Sequence, residues 1–265
     1  MDHDLVEEMR QYIVDAFTGE LFKGNPAAVC ILDEWISDEL MQNIAVENNL
    51  SETAFAVKAD DYYHIRWFTP GGEVDLCGHA SLATAYVILN FYEDTPKVHF
   101  MTNDDVDIII TRNGELYEME FPAYELEEVE ITGEIIDALG VRPREVYRSR
   151  DLLCVLERAD DVVGFKPDLD KLEKLDGLLV HITAKGESHD CVSRSFAPRL
   201  NIAEDPVCGS GHCHIAPYWS GRLNKNEIIA YQASKRSGIL YCRVVDDKVF
   251  LAGKAVLFST CELEL

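Results

Sequence analysis

The sequence lacks the features of several broad classes of protein. It contains 24 Lys and Arg against 48 Asp and Glu, so its formal net charge is -24. A diffuse negative field repels phosphate backbones and anionic headgroups, which argues against nucleic-acid and membrane-surface partners. No uncharged run approaches the ~18 residues of a membrane-spanning helix. The acidic start of the chain has no basic segment followed by a long apolar run and predicts no targeting peptide, so we expect a cytoplasmic protein.

Motifs for common cofactors and metals are also absent. There is no Walker loop, dinucleotide fingerprint or nucleophile elbow, so we expect no cofactor and no serine-hydrolase chemistry. The eight cysteines include no C-x-x-C pair, which predicts free thiols, most of them buried. The segment 208–214 contains two Cys and two His, but only Cys208 and His212 would share a helical face. We therefore predict no metal site.

Short apolar and alternating runs predict a chain rich in β-strands. In the first half these runs are residues 12–17, 27–32, 53–57, 63–68, 106–111 and 116–121, and in the second half they lie near residues 146, 153, 179, 192, 228, 240, 249 and 256. Helices are predicted over 37–49, 79–90 and 132–139. Asn113-Gly114 and Asp246-Asp247 are expected to form hairpin turns.

A short motif occurs twice, about half the chain length apart. Residues 73–80 read EVDLCGHA and residues 204–211 read EDPVCGSG, each followed by a helix-like run. The repetition predicts two related lobes, residues 1–121 and 122–253, each with one central helix. The C-terminal strand, about residues 254–265, is a candidate to return to the first lobe.

The repeated Cys-Gly turns open helices, and a helix start binds anions because its first N–H groups are unpaired and its dipole is positive there. Gly78 and Gly209 would let a ligand approach the backbone without Cβ interference. Two such starts facing one another across a cleft could hold a carboxylate. The alternative is that these glycines serve only tight turns, with Ser210 as a helix cap.

Three further side chains are candidates for proton chemistry. Glu47 ends the first predicted helix, and a carboxylate whose pKa is raised by burial can take and return a proton near neutral pH. Its neighbour Glu52 is expected to matter much less. His79 could donate to or orient a substrate, although a lone His is more often structural. Asp205 precedes Pro206 and could equally be a turn residue.

Four segments together resemble the phenazine-biosynthesis PhzF-like family, whose members are relatives of diaminopimelate epimerase. They are residues 15–29, 47–55, 66–80 and 204–212, in the family's order. The resemblance implies an α+β fold of two pseudo-symmetric lobes, each a β-barrel-like sheet around a central helix. It also implies an active site in the interlobe cleft and commonly a homodimer.

The chemistry implied by the resemblance is a cofactor-independent isomerisation of a small anionic metabolite, of the kind found in biosynthesis, by a carboxylate acid/base. The family's roles fall on Glu47 as acid/base, on His79 and Asp205 as substrate-handling groups, on Ser210 as a substrate contact, and on Gly78 and Gly209 as backbone donors. Cys77 and Cys208 match the thiol pair of the epimerase relatives, so a two-thiol racemase or epimerase stays an alternative. A non-catalytic small-molecule binding protein is the other alternative.

Overall fold

The chain is described by a computed structural model over residues 9–265, and residues 1–8 of the acidic start lie outside this description. It forms two compact units. The N-terminal unit runs to Met119 and includes Gly253–Leu265, whereas the C-terminal unit is Glu120–Ala252. The sequence placed this boundary between residues 121 and 122. Within residues 9–265, no helix is long and apolar enough to span a membrane.

Strands dominate both units. They are β1 Met9–Ala16, β2 Asn25–Leu32, β3 Glu52–Lys58, β4 Tyr63–Thr69, β5 Gly72–Val74, β6 Lys97–Met101, β7 Asp107–Asn113, β8 Leu116–Pro122, β9 Glu127–Glu128, β10 Glu145–Arg148, β11 Leu152–Val155, β12 Val180–Lys185, β13 Cys191–Ala197, β14 Ile202–Asp205, β15 Glu227–Gln232, β16 Gly238–Val245, β17 Lys248–Gly253 and β18 Ala255–Leu263. The helices are α1 Asp38–Asn48, α2 Gly78–Phe91, α3 Gly133–Leu139, α4 Ala159–Val163, α5 Leu169–Leu172 and α6 Gly209–Leu223, with a 3₁₀ turn at Pro198–Leu200.

The two units repeat one pattern of strand pairing. In the N-terminal unit, β1–β2 is antiparallel, β2–β3 parallel, β3–β4 antiparallel and β4–β6 parallel, and β7 and β8 continue antiparallel. In the C-terminal unit, β10–β11, β11–β12, β12–β13, β13–β15, β15–β16 and β16–β17 follow the same series. A short strand, β5 or β14, precedes the long helix in each. This repetition confirms the predicted α+β class of two similar lobes.

Helix α2 is the central element of the N-terminal unit. Ten of its residues are buried, and they cover almost every side of the helix. A helix that is apolar all round must be enclosed. It contacts β1, β2, β3, β6, β7 and β18, strands that extend across the sheet. The sheet therefore wraps around the helix that begins at the first Cys-Gly turn.

Helix α1 begins and ends at capping residues that the sequence identifies. The Ser37 hydroxyl accepts a hydrogen bond from the Leu40 N–H at 3.2 Å, and Asn49 ends the helix in the left-handed conformation with φ of 48°. Its buried stripe consists of Met41, Ile44 and Ala45. This helical spacing fixes which side chains of α1 face the sheet.

Strand β12 is covered on both faces, and its alternation separates a core from a polar network. Val180, Ile182 and Ala184 pack in an apolar cluster with residues of α3, α4 and α5. His181 and Thr183 point to the other face, because successive side chains of a strand alternate. The Thr183 hydroxyl accepts from Trp219 Nε1 of α6 at 2.9 Å. Helix α6 therefore packs on the polar face of β12.

One predicted turn differs in register. Asn113 pairs with Leu116, so Gly114 and Glu115 form the hairpin turn, one residue later than predicted. Gly114 adopts φ of 62°, which favours glycine and fixes the turn there. The Asp246-Asp247 turn lies between the paired residues of β16 and β17, as predicted.

Candidate functional site

In the N-terminal unit, three polar side chains meet where α2 begins. Glu52 is the first residue of β3, Cys77 is the N-cap of α2, and His79 is the second residue of that helix. His79 Nε2 lies 3.0 Å from Glu52 Oε2, and His79 Nδ1 lies 3.4 Å from Cys77 Sγ. The side chains of His79 and Glu52 are only 8% and 13% exposed. The imidazole thus connects a carboxylate to a thiol in a sheltered position.

The contact between His79 and Glu52 is close but not aligned as a hydrogen bond. Glu52 Oε2 and His79 Nε2 are buried, and among the described residues neither atom has a hydrogen-bond partner. Buried polar atoms are nearly always paired, so each exception needs an explanation.

Asn48 explains how the sequence brings Glu52 to this position. Its Nδ2 donates to Gln11 Oε1 at 2.7 Å and to Thr53 Oγ1 at 3.0 Å. These bonds tie the end of α1 to β1 and to the second residue of β3. The segment 47–53 therefore holds the start of β3 in place, and this fixes the position of Glu52, the first residue of that strand.

Burial controls the protonation of the cluster. Burial, and then the Glu52 carboxylate, raises the pKa of the Cys77 thiol. Burial by itself would lower the pKa of His79, but the adjacent Cys77 sulfur and Glu52 carboxylate hold that pKa well above its usual value. A protonated His79 has two N–H donors, one toward each neighbour.

The structure does not support Glu47 as the acid/base. Glu47 lies on α1 off the buried stripe, and its side chain is exposed. The prediction required a carboxylate sheltered from water, because burial is what would raise its pKa. Glu52, which was expected to matter much less, occupies the sheltered position instead.

In the C-terminal unit, the second Cys-Gly turn is held by the chain around it. Cys208 is the N-cap of α6, and its Sγ accepts from the Gly211 N–H at 3.3 Å. Gln232 is fully buried: its Oε1 accepts from the Cys208 N–H at 2.8 Å, and its Nε2 donates to the Asp205 carbonyl at 2.6 Å. Gln232 thus fixes the loop that carries Asp205, and no sequence motif marks this role.

The start of α6 combines the Cys208 thiol with backbone N–H groups that lack an acceptor inside the helix. Burial, and then the Asp205 carboxylate, raises the pKa of the Cys208 thiol well above its usual value. The first N–H groups of the helix, from Gly209 and Ser210, have no acceptor inside the helix. A Cβ at Gly209 would meet only Leu251 Cδ1, at 3.8 Å, so packing does not demand glycine there. This start can bind an anion.

A buried polar network adjoins this helix start. Arg150 Nη2 donates to Ser210 Oγ at 3.0 Å and to Asp151 Oδ2 at 2.6 Å. Asp151 is fully buried and also contacts His181. A Cβ on Gly211 would approach His181 Cε1 to 2.7 Å, so this glycine is required by packing. No sequence motif marked Arg150, Asp151 or His181, because they come together only through β11, β12 and α6.

Two groups of side chains have the donor types that a metal ion uses. They are Glu52, Cys77 and His79, and Asp151, His181 and His214, and within each group the donor atoms lie within 4.8 Å of one another. The segment 208–214 does not form a four-ligand site, because His212 Nδ1 faces the Cys208 carbonyl at 2.7 Å and His214 Nδ1 faces the Ser210 carbonyl at 3.1 Å. These nitrogens serve the helix backbone.

The predicted site residues therefore form one cluster in each unit. Cys77, Gly78 and His79 lie together in the first, and Asp205, Cys208, Gly209 and Ser210 in the second. That the two clusters face one another stays a prediction, as does the homodimer.

Comparisons with known proteins agree with this fold. The model of the phenazine biosynthesis-like protein family matches residues 14–261. An uncharacterized isomerase of Pseudomonas aeruginosa is 43% identical over 97% of this chain and 100% of its own length. A crystal structure of a PhzF-family phenazine biosynthesis protein from Enterococcus faecalis is 47% identical, covers 98% of this chain and 100% of that chain, and has a TM-score of 0.95.

The chain belongs to the phenazine biosynthesis-like family, as the sequence resemblance predicted. A predicted epimerase from P. aeruginosa is 20% identical, with a TM-score of 0.73 over 96% of this chain and 99% of that chain. At that identity the likeness shows the shared fold alone. It agrees with the predicted diaminopimelate epimerase-like architecture.

Proposed function

We propose that this protein is a cofactor-independent isomerase that moves a proton on a small anionic metabolite, with Glu52 as the proton carrier. The isomerase name of its P. aeruginosa relative supports the reaction class. The choice of Glu52 over Glu47 is supported by its shelter from water, since the Glu52 side chain is 13% exposed and contacts His79 at the start of α2, whereas Glu47 is exposed.

The observation that carries the proposal is the buried contact between Glu52 Oε2 and His79 Nε2, which are 3.0 Å apart but not aligned as a hydrogen bond. Structural residues in a core pair their polar atoms with the protein itself. A substrate whose acidic C–H and anionic group approach this pair would engage both atoms. A purely structural ion pair gives no reason for the poor alignment.

The reaction requires no electron donor or acceptor. The Glu52 carboxylate takes a proton from carbon as the C–H bond breaks, and the electron pair enters the π system of the substrate. The same carboxyl group then returns the proton at another carbon, so the double bond shifts and Glu52 is regenerated. The His79 cation stabilises the carboxylate before proton removal and orients it, and Asp205 is the second substrate-handling group that we propose.

The start of α6 has a different part in this proposal. Its free N–H groups at Gly209 and Ser210 bind the anionic group of the metabolite, which the net charge of -24 would otherwise repel. The same N–H groups stabilise the negative charge that develops on the bound anionic group during proton removal.

The experiment uses solvent deuterium. The protein is incubated with a metabolite extract in heavy water, and mass spectrometry finds the compound that gains deuterium. With that compound, Glu52→Gln should reduce exchange by roughly 10²–10⁴-fold, because the amide keeps the shape but cannot carry the proton. Glu47→Gln is the matched control and should exchange like wild type.

The opposite ranking of the two variants would move the base to Glu47 and refute the choice of Glu52. No exchange by wild-type protein would favour the binding-protein alternative. A combined Cys77→Ala, Cys208→Ala variant tests the two-thiol alternative. That mechanism needs one thiolate as a base, whereas burial raises the pKa of both thiols, so we expect the variant to keep exchanging.

A further inference from the structure

Arg150 presents a cation beside the start of α6. It lies between β10 and β11, and its side chain is 35% exposed. Nε and Nη2 bind the two oxygens of Asp151 at 3.0 and 2.6 Å, and Nη2 also reaches Ser210 Oγ at 3.0 Å. Within residues 9–265, Nη1 makes no hydrogen bond. Nε and Nη2 are therefore used for anchoring, and Nη1 is not.

The carboxylate that holds Arg150 is itself fully engaged. Asp151 is 0% exposed and receives, besides Arg150, the His181 Nε2 donor at 3.0 Å and the Leu179 N–H at 3.3 Å. His181 Nδ1 lies 2.9 Å from Ser195 Oγ, so both ring nitrogens of His181 have a polar neighbour. Four donors satisfy the acceptor sites of one carboxylate. The network therefore holds Arg150 in place.

The ring of Tyr124 packs against the guanidinium of Arg150. The Arg150 guanidinium carbon lies 5.2 Å from the centre of the Tyr124 ring, and the same tyrosine stacks on His214 with ring centres 4.1 Å apart. The Tyr124 N–H donates to the Cys213 carbonyl of α6 at 3.1 Å. An arginine side chain that already packs on an aromatic ring keeps its charge, and it loses little further conformational freedom when it binds a ligand.

A second arginine of the same unit shows what a structural arginine looks like here. Arg194 Nε and Nη2 bind both oxygens of Glu204, at 2.7 and 2.8 Å, and its Nη1 donates to the Phe165 carbonyl at 2.6 Å. Its side chain is 11% exposed, so every nitrogen is used inside the protein. Arg150 has the same bidentate anchor but keeps Nη1 and a third of its surface available.

We propose that Arg150 binds a carboxylate of the substrate, acting with Ser210 and the start of α6, and selects substrates that carry an anionic group at that point. The reaction class of this inference rests on the proposed function, but anion binding by Arg150 does not. Both N–H groups of Nη2 are used by Asp151 and Ser210, so the two N–H groups of Nη1 remain to donate charged hydrogen bonds to a carboxylate.

The binding test uses malonate as the probe and malonamide as its neutral analogue. Both are titrated into ¹⁵N-labelled full-length protein, and the Arg150 Nε–H and the Gly209 and Ser210 amide signals are followed. Malonate should produce a saturable shift of all three, and malonamide should not. Arg150→Gln should weaken malonate binding by about 10–100-fold, the effect of one or two charged hydrogen bonds.

Arg148→Gln is the matched control. Arg148 ends β10 two residues earlier and pairs with Asp176 on the surface, 45% exposed, so its loss should leave malonate binding unchanged. Arg150→Lys keeps the charge but not the bidentate anchor. It should bind malonate with intermediate strength, and it serves as the second variant if Arg150→Gln does not fold. Equal binding of malonate and malonamide, no saturable shift, or wild-type affinity in Arg150→Gln would overturn the proposal.

The catalytic test separates this inference from the proposed function. With the deuterium-exchanging compound, Arg150→Gln should raise KM by about tenfold or more while kcat changes less. Glu52→Gln should lose exchange but keep the malonate shift. Malonate binding through Arg150 without exchange in wild type would refute the isomerase proposal alone. Exchange with an unchanged KM in Arg150→Gln would refute the role of Arg150 alone.

Discussion

Replacing Asp151 with Asn should destabilise the protein more than any surface change. The carboxylate receives four donors, from Arg150 Nε and Nη2, His181 Nε2 and the Leu179 N–H. An amide has one oxygen and one NH₂ group, so two donors would face a donor in a site with 0% exposure. Breaking a buried ion pair by removing one partner costs about 3–5 kcal/mol, and we expect a loss of this size in the free energy of unfolding.

The same variant predicts a dependence on pH. Burial by itself would raise the pKa of Asp151, but hydrogen bonds from His181 and Arg150 hold it well below its usual range. A carboxyl group with a lowered pKa contributes stability above its unfolded pKa, about 3.9, and this stability is lost as the pH falls through the folded value. The difference between wild type and Asp151→Asn should therefore stay constant from pH 7 to about 5 and shrink below about 4.

The measurement is urea unfolding followed by circular dichroism and tryptophan fluorescence, whose coincidence checks that a single transition is present. Asp176→Asn is the control: this carboxylate is 66% exposed and pairs with Arg148, so little change is expected. A loss below about 1 kcal/mol for Asp151→Asn, or a difference that does not depend on pH in the acid range, would refute the account of a saturated buried carboxylate.

Two further predictions use other buried groups. Of the eight cysteines only Cys261 is exposed, so a thiol reagent should modify one thiol per chain quickly in the native state and the other seven only on unfolding; rapid modification of several thiols would contradict the burial. Burial lowers the pKa of His212 and of His214 to about 4, so neither imidazole should titrate between pH 6 and 8 by NMR. Both imidazoles take up protons on unfolding at a pH below about 6.5, so the free energy of unfolding should decrease as the pH falls from about 6.5 toward 4. A midpoint near 6.5 for either would refute this.

The sequence alone determined much of the architecture, because local sequence patterns specify where helices and turns begin and end. Helix α1 has its cap at Ser37 and its buried stripe at helical spacing, and Thr132 and Gly140 bound α3 in the same way. The two Cys-Gly motifs revealed the repeat, and each of them begins a long helix, α2 and α6. The turn at Asn113-Gly114 was misplaced by one residue, since both residues tolerate the same backbone region and only the strand pairing decides between them.

Only the tertiary structure distinguished Glu52 from Glu47, five residues apart in one motif. Which of them is sheltered depends on the side of α1 that packs on the sheet and on the path that brings α2 to the start of β3, and neither is visible in the spacing of residues. The network of Arg150 and Asp151 left even less trace, because its partners come from separate strands and one helix. Local propensity fixes helices, strands and caps, whereas the exposure and the partners of a charged group are decided by long-range packing.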